Sequence, residues 1–228
     1  MAALGELSST VAHEIRNPLV SIGGFARRLY RSIPDEAPEK RYTQTIMVEV
    51  SRLERILSDL LDYTRKESLT FGEVDLRRIL EESFSLVSEK LNSGEIELSK
   101  EYSEGIPKVM GDHRQLIQVF SNLLNNACEA MKGKGTLSLR VLPVAKNGST
   151  FVRIEVEDTG SGIDPENLHN IFNPFYSTKE SGLGLGLPLV YKIIASHQGQ
   201  IEVDNRPGEG VTFIITLPAA REEEKKQV

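Results

Sequence analysis

Two stretches at opposite ends of this chain carry groups suited to moving a phosphoryl group. In the run His13-Glu14-Ile15-Arg16-Asn17-Pro18, an imidazole stands directly beside a carboxylate. Such a carboxylate can take the Nδ1 proton and leave Nε2 free as a nucleophile. Near the other end, Gly182, Gly184 and Gly186 alternate with leucines and open a helical pattern. Glycines let the backbone approach a ligand closely, and the free N–H groups at a helix start suit phosphate. One end has the chemistry of a phosphate acceptor and the other that of a nucleotide holder.

The first stretch lies on a helix. Apolar residues at 4, 7, 11, 15, 22 and 29 form one stripe. At about 100° per residue, His13 then sits about 200° from the centre of that stripe, facing outward. Asn17 shares its face, and Glu14 lies toward its flank. Pro18 lacks an N–H and crowds the carbonyl of Glu14, so a bend or bulge is expected beside the histidine. An exposed histidine alone also fits an ordinary surface residue, but here the flanking carboxylate sits on an outward helix face; the other three histidines lack that arrangement and read as structural or surface residues. His113 follows Asp112 at a helix start, His169 falls in a loop, and His197 stands near a helix C-terminus, where the dipole favours its charge. Further along the His13 face come Val20, Gly24, Arg27, Arg28 and Arg31, an apolar residue within a basic strip.

Three further segments could handle a nucleotide. On a helix over 113–131, Leu116, Phe120, Leu123, Leu124 and Ala127 make the apolar face, and Asn122, Asn126 and Glu129 gather opposite with Gln115 and Gln118. Asparagine is a weak helix former, so this row suits a function as well as a solvated face. Amide oxygens are fit ligands for Mg²⁺. On the strand Val152–Asp158, period two puts Asp158 on the apolar side, where a carboxylate requires a donor. The exocyclic amine of adenine is one donor; a turn cap is the other reading. Gly160 and Gly162 follow, letting the backbone approach a ligand. Between Asp164 and Gly182 the chain is polar and proline-containing, as in a mobile lid, and Lys179 there could reach phosphates as a point charge.

Composition bounds these readings. The chain has 228 residues, 39% of them hydrophobic, enough for one large domain or two. A net charge of −6 argues against a nucleic-acid binder. No apolar run approaches the roughly 20 residues of a membrane span, and no secretory signal is present. The lone Cys128, among Leu123, Leu124 and Ala127, suits a reduced interior thiol. The chain begins almost inside a helix and reads as part of something longer.

The first helix should run to about Ile33, where Pro34 and Pro38 force a turn, and a second to about Lys66. Ile46, Val50, Leu53, Leu57 and Leu60 alternate spacings of four and three, the seam of a bundle. One hairpin cannot bury both stripes, so a homodimeric four-helix bundle is expected. This domain is placed at 1–67 and a linker at 68–74. A second domain, 75–220, mixes helices near 75–91, 113–131 and 186–197 with strands near 95–103, 135–144, 151–158, 200–204 and 210–217. The pattern predicts an α/β sandwich. Residues 221–228 are a charged tail.

Ser8 to Leu29 resembles the H box of bacterial two-component sensor histidine kinases. Glu14 followed three positions later by Asn17 resembles that family's phosphatase motif. Gln118–Ala130 is similar to its N box, Asp158–Ile163 to its G1 box, Phe172–Phe175 to its F box, and Gly182–Leu187 to its G2 box. Gly208–Phe213 resembles the terminal strand motif. The glycine run is neither a P-loop nor a dinucleotide fingerprint. The resemblance spans residues 3–218 and implies a phosphoacceptor bundle followed by a Bergerat-type ATP-binding domain. It implies ATP and Mg²⁺ as cofactors, Asn126 as metal ligand, and a nucleotide site of Asn122, Asn126, Asp158, Gly160, Gly162, Phe175, Lys179, Gly182, Gly184, Gly186 and Thr212, the threonine near adenine. His13, Glu14 and Asn17 would be catalytic, and the partner a response-regulator receiver domain. The location implied is cytoplasmic, as the soluble part of a membrane-anchored sensor or on its own. The alternatives are a dimeric ATP-binding docking scaffold without turnover, and an ATPase or serine kinase on the same nucleotide fold.

Overall fold

A computed structural model of the chain describes residues 2–64, 70–92, 94–146, 148–179 and 182–220, with side chains from Glu14 onward but not at 64. The expected charged tail at 221–228, residues 65–67 at the end of the expected first domain and residues 68–69 of the expected linker lie outside the described residues. The chain divides into two compact units, Met1–Ser68 with Asn173–Gly186, and Leu69–Phe172 with Leu187–Val228.

In the first unit, α1 (Ala2–Ser32) and α2 (Glu39–Thr64) form an antiparallel hairpin. Its turn is fastened by Lys40, which pairs with Asp35, donates to the carbonyl of Ile33 at 3.2 Å and stands over the ring of Tyr30. One orphan carbonyl at the end of α1 is thereby satisfied. Two seams run along each helix. Leu19 and Ala26 on α1, and Thr43, Val50 and Leu57 on α2, are buried at heptad spacing within the hairpin. Ile15, Ile22 and Leu29, with Ile46 and Leu53, repeat at the same spacing yet are 42–54% exposed. The α2 seam therefore splits in two, with Val50 and Leu57 closing the hairpin while Ile46 and Leu53 stay open; on α1 the expected stripe residues Ile15, Ile22 and Leu29 all stay open, and the buried contacts come from Leu19 and Ala26, outside that stripe. The α-helix runs on through Pro18.

The second unit is a sandwich, as its alternating patterns predicted. Its five-stranded sheet has the order β2-β4-β5-β7-β6, formed by β2 (Glu95–Tyr102), β4 (Lys134–Lys146), β5 (Ser149–Asp158), β6 (Gln200–Arg206) and β7 (Gly210–Pro218). Only β2 and β4 are parallel. Leu137, Leu139, Val141, Val152, Ile154, Val156, Phe213, Ile215 and Leu217 alternate into the buried face. There they meet the apolar stripes of α3 (Leu76–Asn92), α4 (His113–Met131) and α5 (Gly186–Ser196). The opposite face carries a charge network in which Arg140 reaches Glu101 and Glu155, and Arg206 reaches Glu157.

One part of the expected linker is a strand. Residues Gly72–Val74 form β1, paired antiparallel with β3 (Val109–Gly111), which the sequence patterns did not reveal. Three-residue strands are too short to show a period, and the partner lies far along the chain.

Candidate functional site

The centre of the second unit's site is the end of β5. Alternation along that strand buries Asp158 at 4% exposure. Its Oδ1 accepts the N–H of Gly160 at 2.9 Å, which turns the chain sharply after the strand. A Cβ at Gly160 would stand 2.7 Å from the Cβ of Ala130, so only glycine lets this turn lie flat against α4. Gly162 has φ +65°, and a Cβ there would stand 2.7 Å from the carbonyl oxygen of Arg206. The turn is held from its other side as well. Asn205 accepts the N–H of Ile163 at 2.8 Å and donates to the carbonyl of Ile163 at 2.7 Å, while the N–H of Gly208 donates to the carbonyl of Ser161.

The helix behind this turn begins at Asp112, whose Oδ1 accepts the N–H groups of Arg114 and Gln115. Such a cap is worth about 1 kcal/mol. Asn122 and Asn126 lie on one face of α4, and Asn126 is one turn before Ala130, the residue against Gly160. Both are half-buried, not open to solvent. Asn125, by contrast, points away to Lys90, whose ammonium donates to its Oδ1 at 2.6 Å. Cys128 is buried, as expected of an interior thiol, and burial pushes its pKa up.

Thr212 is buried at 7% exposure. The register pairs Asp158 with Val211 and Glu157 with Thr212, so Thr212 shares the outer sheet face with Glu157 and Asp204. Val211 is the residue beside Asp158. A one-residue step reverses the face of a strand residue, and sequence alone does not fix that step. His197 is structural, one of the two readings open to a histidine outside the His13 arrangement. It is buried at 2% exposure and accepts the N–H of Asp112 on Nε2, so it is held neutral and does not serve as a charge at the helix end. His113, at the start of α4, lies 2.9 Å from Glu82, and His169 is in a short 3₁₀ turn, Leu168–Asn170.

Phe175, Lys179, Gly182, Gly184 and Gly186 fall in the first unit. Among its described residues the segment has no helix or strand until Gly186 opens α5. It closes on itself where the N–H of Phe175 donates to the carbonyl of Gly184 at 3.1 Å. Gly184 has φ +68°, and a Cβ there would stand 2.3 Å from the carbonyl oxygen of Tyr176. Phe175 is itself left-handed at φ +67° and 63% exposed. A bulky residue held this way costs of order 1–3 kcal/mol, the kind of strain found at ligand clamps. Lys179 donates its N–H to the Oγ of Ser177.

On α1, Glu14 and Asn17 are exposed, as expected; the side chain of His13 lies outside the described residues. Sequence reasoning passed over Asn205 and Gly210, which hold the Asp158 turn. A Cβ at Gly210 would stand 1.9 Å from the carbonyl oxygen of Asp158.

A helical hairpin joined to a sandwich with a carboxylate and glycine turn at its strand end is the architecture of a two-part phosphotransferase core. A family model described as Histidine kinase-, DNA gyrase B-, and HSP90-like ATPase matches residues 111–221. One described as His Kinase A (phospho-acceptor) domain matches residues 3–69. Sensor histidine kinase ZraS of Escherichia coli (strain K12) is 38% identical over 218 residues, covering 96% of this chain and 46% of its own. The crystal structure of histidine kinase ThkA in complex with response regulator protein TrrA is 34% identical, with a TM-score of 0.68, covering 98% of this chain and 64% of that one. Full-length ShkA in complex with AMPPNP gives a TM-score of 0.77 at 28% identity, covering 95% of this chain and 46% of that one. The chain belongs to the two-component sensor histidine kinase family and corresponds to its catalytic core. It spans about half the length of the curated relatives it matches. Among the described residues no helix is long and apolar enough to cross a membrane.

Proposed function

We propose that this chain binds ATP with Mg²⁺, moves the γ-phosphoryl group to His13, and passes it to an aspartate of a response-regulator receiver domain. The observation that carries the reading is the buried Asp158 in its glycine turn, set against the Asn122 and Asn126 face of α4. Asp158 accepts the exocyclic amine of adenine, the discrimination a buried carboxylate makes well because a substrate without that donor leaves it unpaired. Among the described residues no cluster of three His, Cys, Asp or Glu could hold a metal. Amide oxygens, phosphate oxygens and water do suit Mg²⁺, so Asn126 is its protein ligand. Held there, the ion would supply positive charge against the phosphates.

The N–H groups at the start of α5, freed by Gly182, Gly184 and Gly186, hold the phosphate oxygens. Lys179 adds a positive charge and Phe175 shapes the segment. In the transfer, the lone pair of His13 Nε2 forms the N–P bond while the bond from phosphorus to the ADP oxygen breaks. The Nδ1 proton passes to Glu14. Asn17 directs water in the reverse sense, giving phosphatase activity toward the regulator. The open seam of Ile15, Ile22, Leu29, Ile46 and Leu53 supports a homodimeric four-helix bundle.

Labelling with γ-labelled ATP tests the reading. It predicts an acid-labile, base-stable phosphoryl group that disappears in His13→Gln while ATP binding remains. ATP binding without any label would favour a docking scaffold. Phosphate release without label, or an acid-stable label, would favour an ATPase or serine kinase.

A further inference from the structure

The residues entering the second unit, Thr70 and Phe71, both land on one pair of side chains. The N–H of Thr70 donates to Oδ2 of Asp112 at 2.9 Å. The ring of Phe71 lies against the imidazole of His197, with centroids 4.9 Å apart. Asp112 serves α4 at the same time, its Oδ1 accepting from Arg114 at 3.0 Å and Gln115 at 3.2 Å. Its own N–H donates to Nε2 of His197 at 2.9 Å, which assigns the proton of that ring to Nδ1. Nδ1 then donates to the carbonyl of Ile193 at 2.8 Å, in the last turns of α5.

Four elements therefore meet at two residues: the chain arriving from the hairpin, β3, the start of α4 and the end of α5. There is no slack between them. A Cβ on Gly111 would stand 2.9 Å from Cδ2 of His197 and 2.9 Å from Cδ1 of Leu116. α4 carries Asn122 and Asn126, and α5 begins at Gly186. A helix is a stiff rod, so anchoring its outer turn sets the pitch of its other end.

We propose that Asp112 and His197 are positioning residues for phosphoryl transfer, forming the joint through which Thr70 and Phe71 set the two helices that hold the nucleotide. The inference rests on the kinase reading above. Neither side chain touches substrate in that reading; both act through α4 and α5.

The test uses the full chain and measures three quantities: the rate of His13 labelling at saturating Mg²⁺ and ATP, the ATP Kd by calorimetry, and thermal melting. Asp112→Asn is the decisive variant. Asparagine caps a helix as well as aspartate, so Oδ1 keeps Arg114 and Gln115, but its amide then turns a donor toward the N–H of Thr70. The labelling rate should fall about tenfold or more, as small misplacements of reacting groups produce, with Kd within about twofold and melting still cooperative. His197→Leu removes the acceptor for Asp112 and should show the same split. His197→Gln, whose amide oxygen can take that N–H, should restore most of the rate. If His197→Leu does not fold, Asp112→Asn and His197→Gln decide the matter. A wild-type rate in Asp112→Asn overturns the joint. So does a fall in ATP affinity that accounts for the whole loss, because a merely structural pair would act that way. No label on the wild-type protein overturns the kinase reading itself, and the joint with it; a labelled wild type with unaffected variants removes the joint alone.

Discussion

Asp158 turns one carboxylate oxygen back onto the N–H of Gly160, at 2.9 Å, in a turn that α4 and Gly210 press from both sides. This bond fixes the direction of the whole carboxylate, so the second oxygen has a set aim before any ligand arrives. Preorganised acceptors of this kind are worth more than ones that must be ordered on binding.

Asp158→Asn tests that aim. The amide oxygen can keep Gly160, while the amide nitrogen places a donor where the adenine amine also donates. A lost hydrogen bond to a charged group costs about 1.5–3 kcal/mol, roughly 10- to 150-fold in Kd. Calorimetry should show that loss for ATP, with the melting temperature lowered by no more than a few degrees. Unchanged ATP affinity would refute the role of Asp158.

How far this site could be read from the sequence depended on the element. α4 was legible because its apolar period and the place of Asp112 at its start agree, and its observed limits match the expected ones. Asp158 was legible from alternation along a single strand. Thr212 was not, because its face depends on pairing between β5 and β7, and register is a property of two strands. The Asp112 and His197 pair was hidden for the same reason. Eighty-five residues separate them, and nothing local to either reports the other. On α1 the stripe was visible, but that Ile15, Ile22 and Leu29 stay open while Leu19 and Ala26 close the hairpin needs the position of α2.

The open seam makes its own prediction. Ile22 is 48% and Leu53 45% exposed in the lone hairpin. Burying such a side chain contributes about 1.5–3 kcal/mol, and a symmetric bundle buries each of them twice. Residues 1–67 should therefore sediment as a dimer at micromolar concentration. Ile22→Glu should shift the full chain toward monomer without unfolding the second unit. A monomeric wild-type chain would count against the bundle.

Stability should depend on pH through His197. Burial lowers its pKa below the ordinary 6.5, against the opposing effects of the Ile193 carbonyl and the charge of Asp112. For Asp112, burial would raise the carboxyl, but the N–H groups of Thr70, Gln115 and Arg114 outweigh it and hold the pKa below 3.8. Its charge is thus unchanged around neutrality. The unfolded chain takes up a proton on His197 near pH 6.5 and the folded chain does so only at lower pH. The stabilisation is complete above pH 6.5 and is lost as the pH falls from there through the folded pKa. Thermal melts at pH 7.5 and 5.5 should differ by a few degrees more for wild type than for His197→Gln. Equal slopes would mean the imidazole is protonated as readily folded as unfolded.

The last prediction concerns the face of α1 that carries His13. Val20 is 53% exposed, and Arg27, Arg28 and Arg31 on the same face are exposed as well. An apolar residue within a basic strip suits an acidic partner surface better than water. Docked there, a receiver domain would bring its aspartate to His13, with the arginines setting encounter and Val20 the close contact. Val20→Asp adds a negative charge to that contact, so transfer to the cognate regulator should slow about tenfold or more while autophosphorylation keeps its rate. Asn17 is exposed one turn beyond His13, and its proposed role is in the reverse step alone. Asn17→Ala should reduce dephosphorylation of the phosphorylated regulator and leave both His13 labelling and forward transfer intact. Wild-type transfer by Val20→Asp would place the docking surface elsewhere, and full phosphatase activity in Asn17→Ala would remove Asn17 from the reverse step.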